Sequence, residues 1–131
     1  MVKITDEQYV KIVKDSLNFV GGFTERDETI KQVIEFAKGT LRLKISTHYD
    51  DYIDTWLETD KLYSTTWQKA VVSQTIWDYQ NKYGANLKVN QFESLEQYNR
   101  TVDSLVLTLQ KGVNRLSRQG LIKGGDTNGS E

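Results

Sequence analysis

The chain has 131 residues, enough for one domain with a real core and hardly enough for two. It contains no cysteine, which excludes disulfides, thiolate nucleophiles and cysteine-based zinc sites, and its net charge of −1 excludes polyelectrolyte behaviour. Apolar residues make up 37%, low for a globular monomer, beside 11% aromatics, a balance that suits a domain completing its burial against partner subunits. The charge is divided along the chain. Residues 1–60 carry 12 acids against 8 bases, and residues 61–131 carry 6 against 9. Two readings of this division stand side by side: halves that meet head to tail through complementary potentials, or chance variation on a solvated surface. No apolar run reaches the roughly 18–20 residues that span a bilayer, and the start "MVKITDEQYVK" lacks the apolar run of a signal peptide. A reducing, cytosolic setting fits. Proline is absent altogether, which leans toward a helical protein because proline is most costly inside helices.

Residues 5–19 read as a first helix. Thr5 and Gln8 match a capping box, and Tyr9, Ile12 and Val13, with Leu17 or Phe19, form an apolar stripe. The "VGG" at 20–22 ends it, glycine supplying the left-handed conformation of a helix C-terminus. Residues 25–45 read as a second helix, with Glu25, Asp27 and Glu28 at its positive end and Lys38, Arg42 and Lys44 towards its negative end. Ile30, Val33, Ile34, Ala37, Leu41 and Ile45 follow the i, i+3, i+4, i+7 spacing, and Gly39 is placed for a close helix contact. The segment 47–63 is ambiguous: Tyr49, Tyr52, Ile53, Trp56 and Leu57 fit one helical face, while its aspartates and threonines suit caps and turns. A short helix near 50–58 is expected.

The segment 65–83 holds two of the three tryptophans. Thr65 and Gln68 offer a second capping box. Trp67, Ala70, Val71, Gln74 and Trp77 lie along one face, and Val72, Ile76, Tyr79 and Tyr83 along the next. A helix apolar over that much of its circumference is enclosed by several neighbours, which makes this the central helix. Gly84 closes it. A last helix over about 93–117 starts at a third capping box, Ser94 and Gln97. Its seam of Leu95, Tyr98, Val102, Leu105, Leu109 and Leu116 leaves one slot empty at Gly112. That 3.5-residue spacing belongs to helices packed lengthwise on a partner, within the chain or in a neighbouring subunit. Residues 124–131, rich in glycine and polar residues, are expected to form a flexible tail after one helical domain at 1–123.

Little in the sequence points to chemistry. His48 is the one histidine, sits in a polar segment and has no G-x-S-x-G elbow to serve. Asp51, Asp54 and Glu58 would share a helical face and match carboxylate spacing for a divalent metal or an acid–base pair, but a solvated acidic face is the better reading. No phosphate-binding glycine loop occurs. Lys111, Arg115, Arg118 and Lys123 form a basic patch near the C-terminus, without the interleaved aromatics or helix-turn-helix signature of a nucleic-acid reader. No catalytic residue, metal ligand or cofactor is expected.

Three blocks occur in a telling order: "ITDEQYVKIVKDSL" at 4–17, "DETIKQVIEFAKGTLR" at 27–42 and "WQKAVVSQTIWDYQNKYG" at 67–84. Together they resemble the small head–tail connector (adaptor, or head-completion) proteins of tailed bacteriophages. The matching positions are Ile4, Thr5 and Glu7; Asp27, Glu28, Ile30, Ile34 and Ala37; and Lys69, Ala70, Val71, Trp77, Tyr79, Asn81 and Lys82. Two departures stand out: "STTW" holds no proline where family members often carry one, and the helix at 93–117 has no counterpart in the match. The resemblance implies an all-α bundle of four to five helices and a non-enzymatic role in the virion, after synthesis in the host cytoplasm. It implies a ring of subunits beneath the portal, commonly twelve, which extends the DNA channel and docks the next head-completion or tail protein.

The expected core is Ile30, Val33, Ile34, Ala37, Trp67, Ala70, Val71 and Trp77. Partner contacts are expected at Arg115, Arg118, Leu121, Ile122 and Lys123, a basic segment that in a ring also offers itself to channel DNA. The competing expectation is a small helical regulatory or nucleic-acid-binding protein of phage or bacterial origin.

Overall fold

The structure, a computed structural model, describes the backbone of residues 4–20, 27–47, 50–83 and 89–122. These residues form five α-helices in chain order, with no strand among them: α1 (Asp6–Val20), α2 (Asp27–Ile45), α3 (Asp51–Thr59), α4 (Ser64–Tyr83) and α5 (Val89–Arg118). The tail expected at 124–131, His48, Tyr49 and Lys123 lie outside the described residues.

The start of α1 is the capping box expected from its sequence. Gln8 N donates to Thr5 Oγ1 at 3.2 Å and Thr5 N donates to Gln8 Oε1 at 2.8 Å, so two backbone donors are satisfied reciprocally. Its buried face is Tyr9, Val10 and Val13; Ile12, expected in the stripe, is 40% exposed. The six periodic residues of α2 are all buried, and they turn one continuous face to the core. Gly39 does not serve a close contact, since a methyl group placed there would meet nothing within 4 Å.

Asp50 caps α3 by accepting from Tyr52 N at 2.7 Å, and Ile53, Trp56 and Leu57 are buried. Tyr52 points outward instead of joining them. Asp60 then joins two helices. Its N–H donates to Trp56 O at 2.9 Å, closing α3, and its carboxylate accepts from Leu62 N at 2.8 Å and Tyr63 N at 2.9 Å, opening the turn into α4. The expected cap at Thr65 is therefore displaced: α4 begins one residue earlier, at Ser64, on a cap supplied from Asp60.

α4 is the central helix and touches each of the other four. Trp67, Ala70, Val71, Ile76 and Tyr79 are buried; Trp77, expected in the core, packs against it half-buried. α5 is the longest helix, at 30 residues, and lies chiefly along α4 and secondarily against α2. The seam's partner is thus internal. It is drawn from Val102, Val106, Leu109, Val113 and Leu116, with Tyr98 and Leu105 half-buried at its margin. The helix runs unbroken through Ser94 and Gln97, so the expected capping box there does not start it.

The empty slot at Gly112 is filled from α3. A Cβ at Gly112 would lie 2.6 Å from Trp56 Cη2, 3.0 Å from Trp56 Cζ2 and 3.1 Å from Tyr63 Cε1. Glycine is what lets the indole of Trp56 lie on the α5 backbone. At the far end, Gly120 takes φ +72°, Gly120 N donates to Ser117 O at 3.0 Å and Leu121 N donates to Leu116 O at 3.0 Å. This Schellman turn sends the next two side chains in different directions. Ile122 returns to the core at 7% exposure, whereas Leu121 stands out at 47%.

Candidate functional site

Three places in the fold gather polar side chains beyond what helix formation needs. The first is a cleft of about 460 Å³ between α2, α3 and the start of α4. Leu57 and Trp67, both buried, contribute its apolar lining. Glu35, Lys38 and Arg42 from α2 and Asp54, Thr55 and Glu58 from α3 supply the polar part. Its two cations are already engaged. Arg42 Nε donates to Asp54 Oδ1 at 2.7 Å and Nη1 donates to Ser46 O at 3.1 Å. Lys38 Nζ lies 3.8 Å from Asp6 and 3.7 Å from Glu35, and sits 4.8 Å over the Tyr9 ring. Among the described residues Glu58 meets no cation; Trp67 Nε1 donates to it at 3.4 Å, a long bond.

This distribution revises the acidic face read from sequence. Asp54 and Glu58 stand together, but the first holds an arginine and the second an indole. No group of three His, Cys, Asp or Glu among the described residues is arranged to hold a metal ion. The Tyr9 hydroxyl is buried without a partner, and burial, then the charges of Glu58 and Asp6, hold its proton on more firmly than in an ordinary tyrosine.

The second place is on α4. Gln74 Nε2 donates to Asp78 Oδ1 at 2.8 Å, while Gln74 Oε1 and Asp78 Oδ2 are buried and find no partner among the described residues. Desolvation raises the Asp78 carboxyl above the usual carboxylate range, against the opposing pull of the Gln74 hydrogen bond and of Lys44. With a proton on Oδ2 this side chain would offer a donor where the acceptor Gln74 Oε1 lacks one, and the pair would have the composition of an acid–amide dimer.

The third place is the end of α5. Lys111, Arg115 and Arg118 are exposed, and none makes an ion pair among the described residues. Leu121 stands beside them. Ile122, expected to reach a partner with these residues, is part of the core instead, because the glycine turn folds it back. The sequence signalled the basic residues but not the turn's effect on the two apolar ones. It also left unread the Arg42–Asp54 bridge, whose partners lie 12 residues apart on different helices, and the Gln74–Asp78 pair, whose i, i+4 spacing was visible.

Comparison with protein-family models, with curated proteins and with solved structures gave no match to this chain.

Proposed function

We propose that this chain is a structural subunit of a tailed-phage head–tail connector: it closes a ring under the portal, extends the DNA channel and docks the next head-completion or tail protein. The observation that carries the reading is the uncompensated end of α5. There Arg115 and Arg118 are exposed and meet no acid among the described residues, beside an exposed leucine, on a helix whose inner face packs in the core. Charges left unspent in the lone chain suit a surface completed by another molecule. The resemblance of the blocks at 4–17, 27–42 and 67–84 supplies the identity of the assembly, and the core positions in those blocks, Ile30, Ile34, Ala37, Ala70 and Val71, are buried. The role is mechanical, with side-by-side packing as its chemistry, and it places the protein in the virion, at the head–tail interface. No helix among the described residues is long and apolar enough to cross a membrane.

The test is mass by light scattering, for the chain alone over a wide concentration range and mixed with a tailed-phage portal protein. The expected result is a ring-sized species, or a complex with the portal that alanine at Arg115 and Arg118 abolishes without unfolding the chain. A chain that neither self-associates nor binds a portal would refute the reading. If it instead bound duplex DNA with a steep salt dependence lost in the same variant, the regulatory alternative would replace it.

A further inference from the structure

The cleft and the basic end of α5 are complementary in charge and are built from different residues, since no α5 side chain lines the cleft. The stretch 50–60, from the cap of α3 to the residue that closes it, carries five acids and no base. Within the cleft, Arg42 and Lys38 are committed to Asp54 and Glu35, which leaves Glu58 as the carboxylate that meets no cation among the described residues. The floor beneath it, Leu57 and Trp67, is apolar and almost wholly covered, so the cleft offers a partner chiefly its polar rim. At the end of α5 the inventory is reversed: two guanidiniums that meet no acid among the described residues, and an exposed leucine three residues after Arg118.

We propose that the cleft between α2 and α3 is the receptor for the basic end of α5 from a second copy of this chain, Glu58 at its rim receiving Arg115 or Arg118. The contact joins two different surfaces, so it is heterologous: each copy keeps one free cleft and one free helix end. Repetition of such a contact closes a ring when the rotation per subunit permits and otherwise runs on as a filament. This assignment rests on the self-assembly proposed above and supplies its chemistry. Charged pairs at the edge of such a contact set partner choice and register, and like charges placed there oppose it.

The absence of native cysteine makes the contact testable by cross-linking. Thr55, exposed in the cleft, and Gln119, exposed beside Arg118, are each replaced singly, Thr55→Cys and Gln119→Cys. The two variants are mixed under mild oxidation. The expected result is a mixed disulfide dimer that forms about tenfold faster than in a control mixture of Ser104→Cys with Gln119→Cys. Adding Glu58→Arg to the cleft partner should remove the excess rate, and Arg118→Glu on the other partner should restore part of it. Circular dichroism of each variant checks that the helices persist. Equal rates for the test and control pairs, or a rate indifferent to Glu58→Arg in a folded variant, would overturn the assignment. The mass of the wild-type chain reports on assembly separately, so a ring that forms without the cysteine contact refutes this interface and leaves the ring standing.

Discussion

Replacing Gly112 by alanine should destabilise the protein, although the same substitution at Gly39 should stabilise it. Both glycines sit inside helices, so each replacement gains about 1 kcal/mol of helix propensity. They differ in what the new methyl meets. At Gly39 there is nothing within 4 Å. At Gly112 three ring carbons lie at 2.6, 3.0 and 3.1 Å, where nonbonded carbons prefer about 3.5–4.0 Å. The indole cannot simply retreat: Trp56 is buried and packs on Tyr63 with ring centroids 4.8 Å apart at 41°. Overpacking of this kind costs about 1–3 kcal/mol, which exceeds the propensity gain over most of its range. The expected net change is a loss of about 1 kcal/mol at Gly112 and a gain of about 0.5–1 kcal/mol at Gly39. Urea unfolding followed by tryptophan fluorescence reads both, and the comparison is sound if the m-values agree. In thermal melts the two variants should separate by about 5–8 °C. A further cycle isolates the cause. Trp56→Phe removes the two indole carbons nearest the new methyl, so Gly112→Ala should cost less in that background, with a favourable coupling of about 1 kcal/mol. A Gly112→Ala variant as stable as Gly39→Ala would refute the account of the α3–α5 contact.

Asp78→Asn should stabilise the chain by about 1 kcal/mol at neutral pH, because an amide gives the site a donor and removes a half-buried charge. The pH dependence has a definite sign. A carboxyl whose folded pKa is raised binds more protons folded than unfolded, so its contribution to stability declines as pH rises from the ordinary carboxylate range through the folded value. Urea midpoints for the wild type between about pH 4 and pH 7 should carry this falling component, and the Asp78→Asn variant should lack it. At the C-terminal end, Ile122→Ala should cost about 1–2 kcal/mol and Leu121→Ala should stay within about 0.5 kcal/mol, both by urea unfolding. Equal effects at the two positions would contradict the direction in which the glycine turn sends them.

The helices were legible because their signals are local. The six apolar residues of α2 are spaced for one face, and all six are buried on it. The two apolar stripes of α4 announced its enclosure. The errors concern choices settled by distant residues. Val10 and Ile12 are equally apolar, and which of them turns inward depends on how α1 lies against α2 and α4. Thr65 and Gln68 have the spacing of a capping box, but Asp60 offers a cap from outside the helix and shifts its start. Gly112 read as a gap in a seam, and its occupant, Trp56, lies far earlier in the chain. Gly39, equally suited to a close approach, faces open space. For the candidate site, the basic end was legible as composition. The cleft was not, because it exists only where α2 and α3 meet.

The buried polar side chains among the described residues, Ser64, Ser73, Gln74, Thr75 and Gln80, all sit on α4, the helix with the most neighbours. That is an unfavourable address, since a buried polar group left unpaired costs about 1–3 kcal/mol. Thr75 escapes the cost by donating to Val71 O at 2.7 Å, a bond within its own helix. Ser64 Oγ and Gln74 Oε1 do not escape it. An aliphatic α4 would therefore make the stronger core. It would also make a less definite one, because an all-apolar helix enclosed by four others can be turned about its axis with little change in burial. The Trp67 indole bonded to Glu58 ties α4 to α3, and rotation of α4 by one residue would break that contact, whereas the Gln74–Asp78 bond, within α4, would turn with the helix. Of these polar contacts, the Trp67–Glu58 bond is the one that bears on how α4 is turned against α3, and α4 in turn packs against α3 and α5.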